Sequence, residues 1–174
     1  MENQKKSFKQ IVTTHGLYLA LVSILLLVVM YVTNTNQNWA ISLVSFALTV
    51  LILVYAIKTF KQQNENYLSL GEGLKVGVAT AAIAGVLAGV YAYLHYSFIY
   101  PEYIDTVIDE ARMQMAEQSQ GMTEEQMEQA LGFTESFTTP FMMATFSLIG
   151  SLFFGFIISL IASLIMKRER PAEI

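Results

Sequence analysis

Four long stretches of this chain are almost free of charge, and nothing else in the sequence constrains its fold as strongly. Residues 11–32, 39–57, 74–98 and 141–166 contain no Asp, Glu, Lys or Arg apart from Lys75 at an edge. A bilayer core about 30 Å thick is crossed by roughly 20 mostly apolar residues in a helix. Within lipid a helix satisfies its own backbone hydrogen bonds, whereas an open strand leaves its own unmet. The expected fold class is therefore all-α, an integral membrane four-helix bundle in a single domain. Only 14% of the residues are charged, against about 25% in soluble domains, which disfavours a soluble core.

The first stretch has a basic lead-in, Lys5, Lys6 and Lys9, so a cleaved signal peptide has to be weighed against a retained anchor. Its apolar part exceeds a usual signal core, and the segment from Tyr31 to Thr35 has no small-x-small cleavage pattern. A retained span is expected.

The distribution of charge sets an orientation. Lys5, Lys6 and Lys9 precede span one, Lys58, Lys61 and Lys75 lie between spans two and three, and Lys167, Arg168 and Arg170 follow span four. These are nine of the ten basic residues. Basic residues concentrate on the cytoplasmic side of membrane proteins, so both termini are expected in the cytoplasm. The segment 99–140 carries one base, Arg112, and nine acids, and is expected outside. Tyr31, Trp39, Tyr93, Tyr96, Tyr100 and Tyr103 fall near that outer interface, and Tyr55 and Tyr67 near the inner one. Aromatic rings collect at headgroup level.

Two helix starts are written locally. Ser69 and Glu72 have capping-box spacing, in which each side chain satisfies the other residue's free backbone N–H. Helix three should then begin near Leu70. Thr139 followed by Pro140 is an N-cap with proline at the first helical position, the start of helix four.

Helix three carries Gly73, Gly77, Ala81, Gly85 and Gly89 at fourfold spacing, with Thr80, Ala84, Ala88 and Ala92 in a second row. Helix four carries Ser147, Ser151, Gly155, Ser159 and Ser163. Membrane helices gain little hydrophobic drive from meeting, and small residues let their backbones approach closely. Packing seams, within one chain or between two copies, are the expected role. Grooves lining a solute path are the competing one.

The outer segment is expected to be partly helical. Ile104, Val107, Ile108, Ala111 and Met115 share one face at helical spacing, and Gly121 breaks the run. Thr123 and Gln126 form another capping-box pattern, ahead of Met127, Ala130 and Leu131. Such amphipathic helices rest on a bilayer surface or on the tops of the spans. Glu102, Asp105 and Asp109 share an acidic face. Hard cations favour clustered carboxylates, but the calcium-hand spacing is missing and a solvated face is expected, with no metal.

Several chemistries have no residues to run on. With no cysteine there is neither disulfide nor thiolate zinc site. Paired intramembrane Asp, a His-Glu-x-x-His helix and a phosphate loop are all missing. His15 and His95 are lone interfacial histidines, expected to be hydrogen-bonded rather than relays. No catalytic residue and no cofactor is expected, and a net charge of −4 argues against nucleic acid.

The basic start, the string Phe60-Lys-Gln-Gln-Asn-Glu-Asn-Tyr-Leu-Ser-Leu-Gly-Glu-Gly-Leu-Lys-Val-Gly77, the glycine-rich third helix and the acidic outer loop together resemble the domain-of-unknown-function 4199 family. The resemblance covers nearly the whole chain, and Leu-Ser-Leu-Gly-Glu-Gly-Leu-Lys is its most specific part. It implies a small four-helix protein of the Bacteroidota cytoplasmic membrane, its outer loop in the periplasm, with no assigned activity to transfer. Two functions compete: a non-enzymatic scaffold or regulatory subunit with a periplasmic or membrane protein partner or a second copy, and a small oligomeric transporter.

Overall fold

A computed structural model describes residues 7–35, 39–118 and 123–171. They form six α-helices: α1 Phe8–Thr33, α2 Trp39–Gln63, α3 Leu70–Leu94, α4 Glu102–Gln118, α5 Glu124–Phe137 and α6 Pro140–Met166. A π-helical turn, His95–Ile99, follows α3. No strand forms among the described residues, where Leu68 and Arg168 make an isolated antiparallel bridge. Four helices are long and apolar enough to cross a membrane: α1, α2, α6, and α3 together with its π turn.

Local chemistry accounts for the helix boundaries. Ser7 and Gln10 cap α1 reciprocally, a box that the sequence analysis did not single out. Asn34 ends α1 in the left-handed region, φ 52°, returning its N–H to Met30 and Tyr31; asparagine is among the few residues that adopt this conformation readily. At α3, the Ser69 N–H donates to Glu72 Oε2 at 2.8 Å and the Glu72 N–H to Ser69 Oγ at 3.2 Å. The helix begins at Leu70, where the spacing places it. Thr123 and Gln126 cap α5 in the same manner, and Thr139 Oγ1 accepts the Met142 N–H at the start of α6.

Two boundaries depart from the sequence expectation. Helix α2 continues past residue 57 to Gln63, since amphipathic Lys58–Gln63 can leave an apolar environment without ending the helix. Span three is not uniformly α-helical: Tyr100 donates its N–H to His95 O at 2.8 Å, widening the last turn. Pro101 drives the residue before it out of the helical region, and Tyr100 stands at φ −140°.

The chain divides into two compact units. The first comprises residues 1–88 and 148–174. Its core joins Ile11, Val12, Ala56, Ile57, Leu68, Val76 and Ala162, and a second cluster joins Leu19, Ala20, Leu53, Ala81, Ala84 and Ile158. Helix α3 is the least apolar of the four long helices and the most buried. Large apolar side chains on the other helices, among them Leu25, Leu43, Leu51, Phe153 and Ile165, point outward.

The second unit, residues 89–147, holds the end of α3, the π turn, α4, α5 and the first turns of α6. Tyr96 stacks on Tyr103 with centroids 5.0 Å apart, and Phe137 stacks on Phe146 at 6.2 Å. Ile104, Val107, Ile108, Ala111 and Met115 are half-buried along one face of α4, while Glu102, Asp105 and Asp109 are exposed on the other. Gly121, the expected break between α4 and α5, lies outside the described residues.

Candidate functional site

The small residues of α3 and α6 meet in a fixed antiparallel register. A Cβ built at Gly73 would run into Ser163 Oγ and stand 2.8 Å from Ser163 Cβ. At Gly77 it would overlap Ser159, and at Gly155 the Cβ of Ala81. At Gly85 it would lie 3.0 Å from both Ser151 Cβ and Leu148 Cδ1. Four residues of each row therefore face one another. Gly89 behaves differently: its nearest neighbour is the Ala144 carbonyl oxygen, 3.1 Å from the added Cβ, and Ser147 is not among its close contacts.

Hydrogen bonding along this seam is uneven. Ser151 Oγ crosses to donate to the Ala81 carbonyl at 2.9 Å. Thr80 Oγ1 donates within α3 to the Val76 carbonyl at 2.8 Å. Ser159 and Ser163 are fully buried, and among the described residues their hydroxyls have no hydrogen-bond partner. Each lies in the hollow left by a glycine, against Gly77 and Gly73.

Helix α1 meets α3 beside Thr80, Ile83 and Ala84. A Cβ at Gly16 would stand 2.8 Å from Ile83 Cβ and Cγ2 and 3.2 Å from the Thr80 carbonyl oxygen. Gly16 was missed as a packing residue because its row is short: Ala20 stands four positions on, but Val12 and Ile24 flank the pair. Beside it, His15 is buried, with Nδ1 2.7 Å from the Ile11 carbonyl and its ring 5.5 Å from Tyr55.

A clasp joins the α2–α3 connection to the end of α6, and sequence reasoning did not foresee it. Leu68 and Arg168 exchange backbone hydrogen bonds of 2.8 and 2.9 Å. Both Arg168 and Arg170 place their guanidinium carbons over the Tyr67 ring, 5.5 and 5.6 Å from its centroid. Arg170 also donates to Asn64 Oδ1 at 3.2 Å and pairs with Glu65 at 3.6 Å. Asn64 reaches Glu72 Oε1 at 3.4 Å, tying the clasp to the α3 cap. Lys61 Nζ donates to the Met166 carbonyl at 2.8 Å, satisfying one of the free acceptors at the helix end. The connection turns through Glu65 and Asn66, both left-handed at φ 56° and 63°. No interval in the sequence relates Tyr67 to residues a hundred positions away.

In the second unit, His95 is 1% exposed and its ring lies 5.2–6.4 Å from those of Tyr91, Tyr96 and Tyr100. The exposed acidic face does not gather: Asp109 pairs with Arg112 at 3.1 Å, and no three described Asp, Glu, His or Cys side chains are placed to share a metal.

Among the described residues, six helices, four of them long and apolar enough to cross a bilayer and two packed closely over small residues, fit the build of a helical membrane protein. The chain belongs to the DUF4199 family, described as a protein of unknown function, whose profile matches residues 14–168. No curated protein and no solved structure matches it.

Proposed function

We propose that this protein is a non-enzymatic scaffold or regulatory subunit of the bacterial cytoplasmic membrane. Its termini and the Tyr67 clasp face the cytoplasm, and α4 and α5 lie outside, where their acidic faces are offered to a periplasmic or membrane protein partner. The observation that carries the reading is the closeness of α3 to α6. Where a single added Cβ at Gly73, Gly77 or Gly155 would collide with the facing helix, no width remains between the two backbones for a solute. The charge asymmetry supports the orientation, with nine of ten basic residues at one end.

Thiol accessibility tests it, and a chain with no cysteine gives no background. Single cysteines at Ala81, Ala88 and Ser151, which already carry a Cβ, should resist a membrane-impermeant reagent in intact membranes. Cysteines at Asp105 and Glu128 should react from the periplasmic side, and one at Glu169 only after the membrane is opened. Reaction at the mid-membrane positions would replace the scaffold with a transporter whose path follows the grooves.

A further inference from the structure

The small residues of the α3–α6 seam do not by their own shapes fix its register. In the observed pairing Gly73, Gly77, Ala81 and Gly85 face Ser163, Ser159, Gly155 and Ser151. Both rows repeat every four residues. Moving α6 one turn towards the clasp, about 6 Å at 1.5 Å per residue, would set Gly73 against Ser159, Gly77 against Gly155 and Ala81 against Ser151. Ser163 would then face Ser69. Every one of these pairs is again small against small. Large side chains record a register by size, as they do in ordinary cores; along this seam they are Leu148, against Gly85, and Ile158, beside Ala81 and Ala84. A slide in the opposite direction would bring Lys167 against Gly73, which the seam cannot bury unpaired.

Polar groups supply a reason to leave the observed register. Ser159 and Ser163 are fully buried with hydroxyls that hold no hydrogen bond among the described residues, and a buried donor left unmet is destabilising. The slide would carry Ser163 out to the level of the exposed Ser69 cap, where water reaches it. The bond from Ser151 to the Ala81 carbonyl can re-form one turn along, to the carbonyl of Gly77. Against the slide stands the clasp: the Leu68–Arg168 bridge, the Lys61 bond to Met166 and two guanidinium groups on Tyr67 all hold the end of α6 in place. The Lys61 bond and the guanidinium contacts are exposed or half-buried and of modest strength, while Leu68 anchors the bridge in the core.

We infer that α3 and α6 form a two-register switch, in which the Tyr67–Arg168–Arg170 clasp latches the observed register and its release lets α6 advance one turn along α3. One-turn ratchets of packed helices are an established form of conformational switching. The inference stands apart from the scaffold reading, since a regulatory subunit and a transporter could each use such a device.

Two cysteine pairs test it. Ala81→Cys/Ser151→Cys comes into direct opposition in the advanced register, and Ala81→Cys/Ser159→Cys moves apart. Oxidative cross-linking rates are compared with the clasp intact and with it broken, by Tyr67→Ala in one set and by the milder Arg168→Gln/Arg170→Gln in another. Breaking the clasp should raise the 81–151 rate at least threefold and lower the 81–159 rate. Labelling of a single Ser163→Cys should rise in parallel, while Ser159→Cys stays protected. Equal acceleration of both pairs would mean that the seam merely loosens, and would overturn the inference. So would unchanged rates in both clasp variants, or a rise in the 81–159 pair.

Discussion

Ser159 fills the hollow at Gly77, with its Cβ only 2.5 Å from where a Gly77 Cβ would lie. The two residues divide one volume between the helices. Gly77→Ala should therefore destabilise the folded protein in detergent by about 1–3 kcal/mol, the usual cost of overpacking, despite alanine's better helix propensity. Ser159→Gly should recover most of the loss in the double variant, because pairs in contact are not additive. Gly71→Ala is the control, since nothing lies within 4 Å of a Cβ there. Equal losses at Gly71 and Gly77 in reversible unfolding would refute the account.

Gly16 makes the corresponding contact between α1 and α3. An added methyl would press on Ile83, a β-branched side chain with little rotameric freedom to yield, and on the fixed Thr80 carbonyl. Gly16→Ala should cost about 1–2 kcal/mol, and Ile83→Ala in the same chain should relieve part of it. Melting of the two single variants and the double variant decides the point.

The capping boxes at Ser69 and Thr123 should respond differently to the same change. Loss of an N-cap hydroxyl costs about 1 kcal/mol. At Ser69 the loss reaches a helix that packs on three others, and the clasp residue Asn64 still holds Glu72, so the effect should appear as a small drop in global stability. Helix α5 has no buried residue. Thr123→Ala should leave global stability unchanged and speed hydrogen exchange of the α5 amides about fivefold, the local equivalent of that energy. Unchanged α5 exchange would show that its helicity is held by something other than the cap.

The parts of the fold legible in the sequence were those written in local intervals. Runs of about 20 apolar residues gave the four long helices, three-residue spacings gave the starts of α3 and α5, and the adjacent Thr139 and Pro140 gave that of α6. Fourfold spacing also marked Gly73 and Ser163 as seam candidates, although pairing Gly73 with Ser163 rather than Ser159 needed the structure, because a uniform row carries no register. The clasp was illegible for another reason. Tyr67 and Arg168 are joined by an aromatic–cation contact that leaves no periodic trace, and basic residues after a span are already accounted for by membrane orientation. The π turn at His95 arises from one displaced hydrogen bond before Pro101, which an apolar run cannot reveal.

Tyr103 gives a prediction in pH. Its phenol titrates above the ordinary value of 10.0, chiefly because it is half-buried, with the Glu110 carboxylate and then Tyr100 adding to the effect. The folded state thus prefers the neutral phenol more strongly than the unfolded chain does. For an acid whose folded pKa is raised, the stabilisation is fully present below the unfolded pKa, about 10 for tyrosine, and is lost as pH rises through the folded one. The stack of Tyr103 on Tyr96 should therefore survive neutral and mildly alkaline solution and give way above pH about 10, where ionisation sets a second negative charge near Glu110. Near-ultraviolet circular dichroism of the tyrosines should report the loss, alongside tyrosinate absorbance. Tyr103→Phe keeps the ring and removes the ionisation, so its transition should move to higher pH. Glu110→Gln should lower the pH at which Tyr103 ionises, since a repelling charge is gone. Identical transitions in the parent and Tyr103→Phe chains would exclude Tyr103 as the group that controls how the start of α4 is held against the π turn.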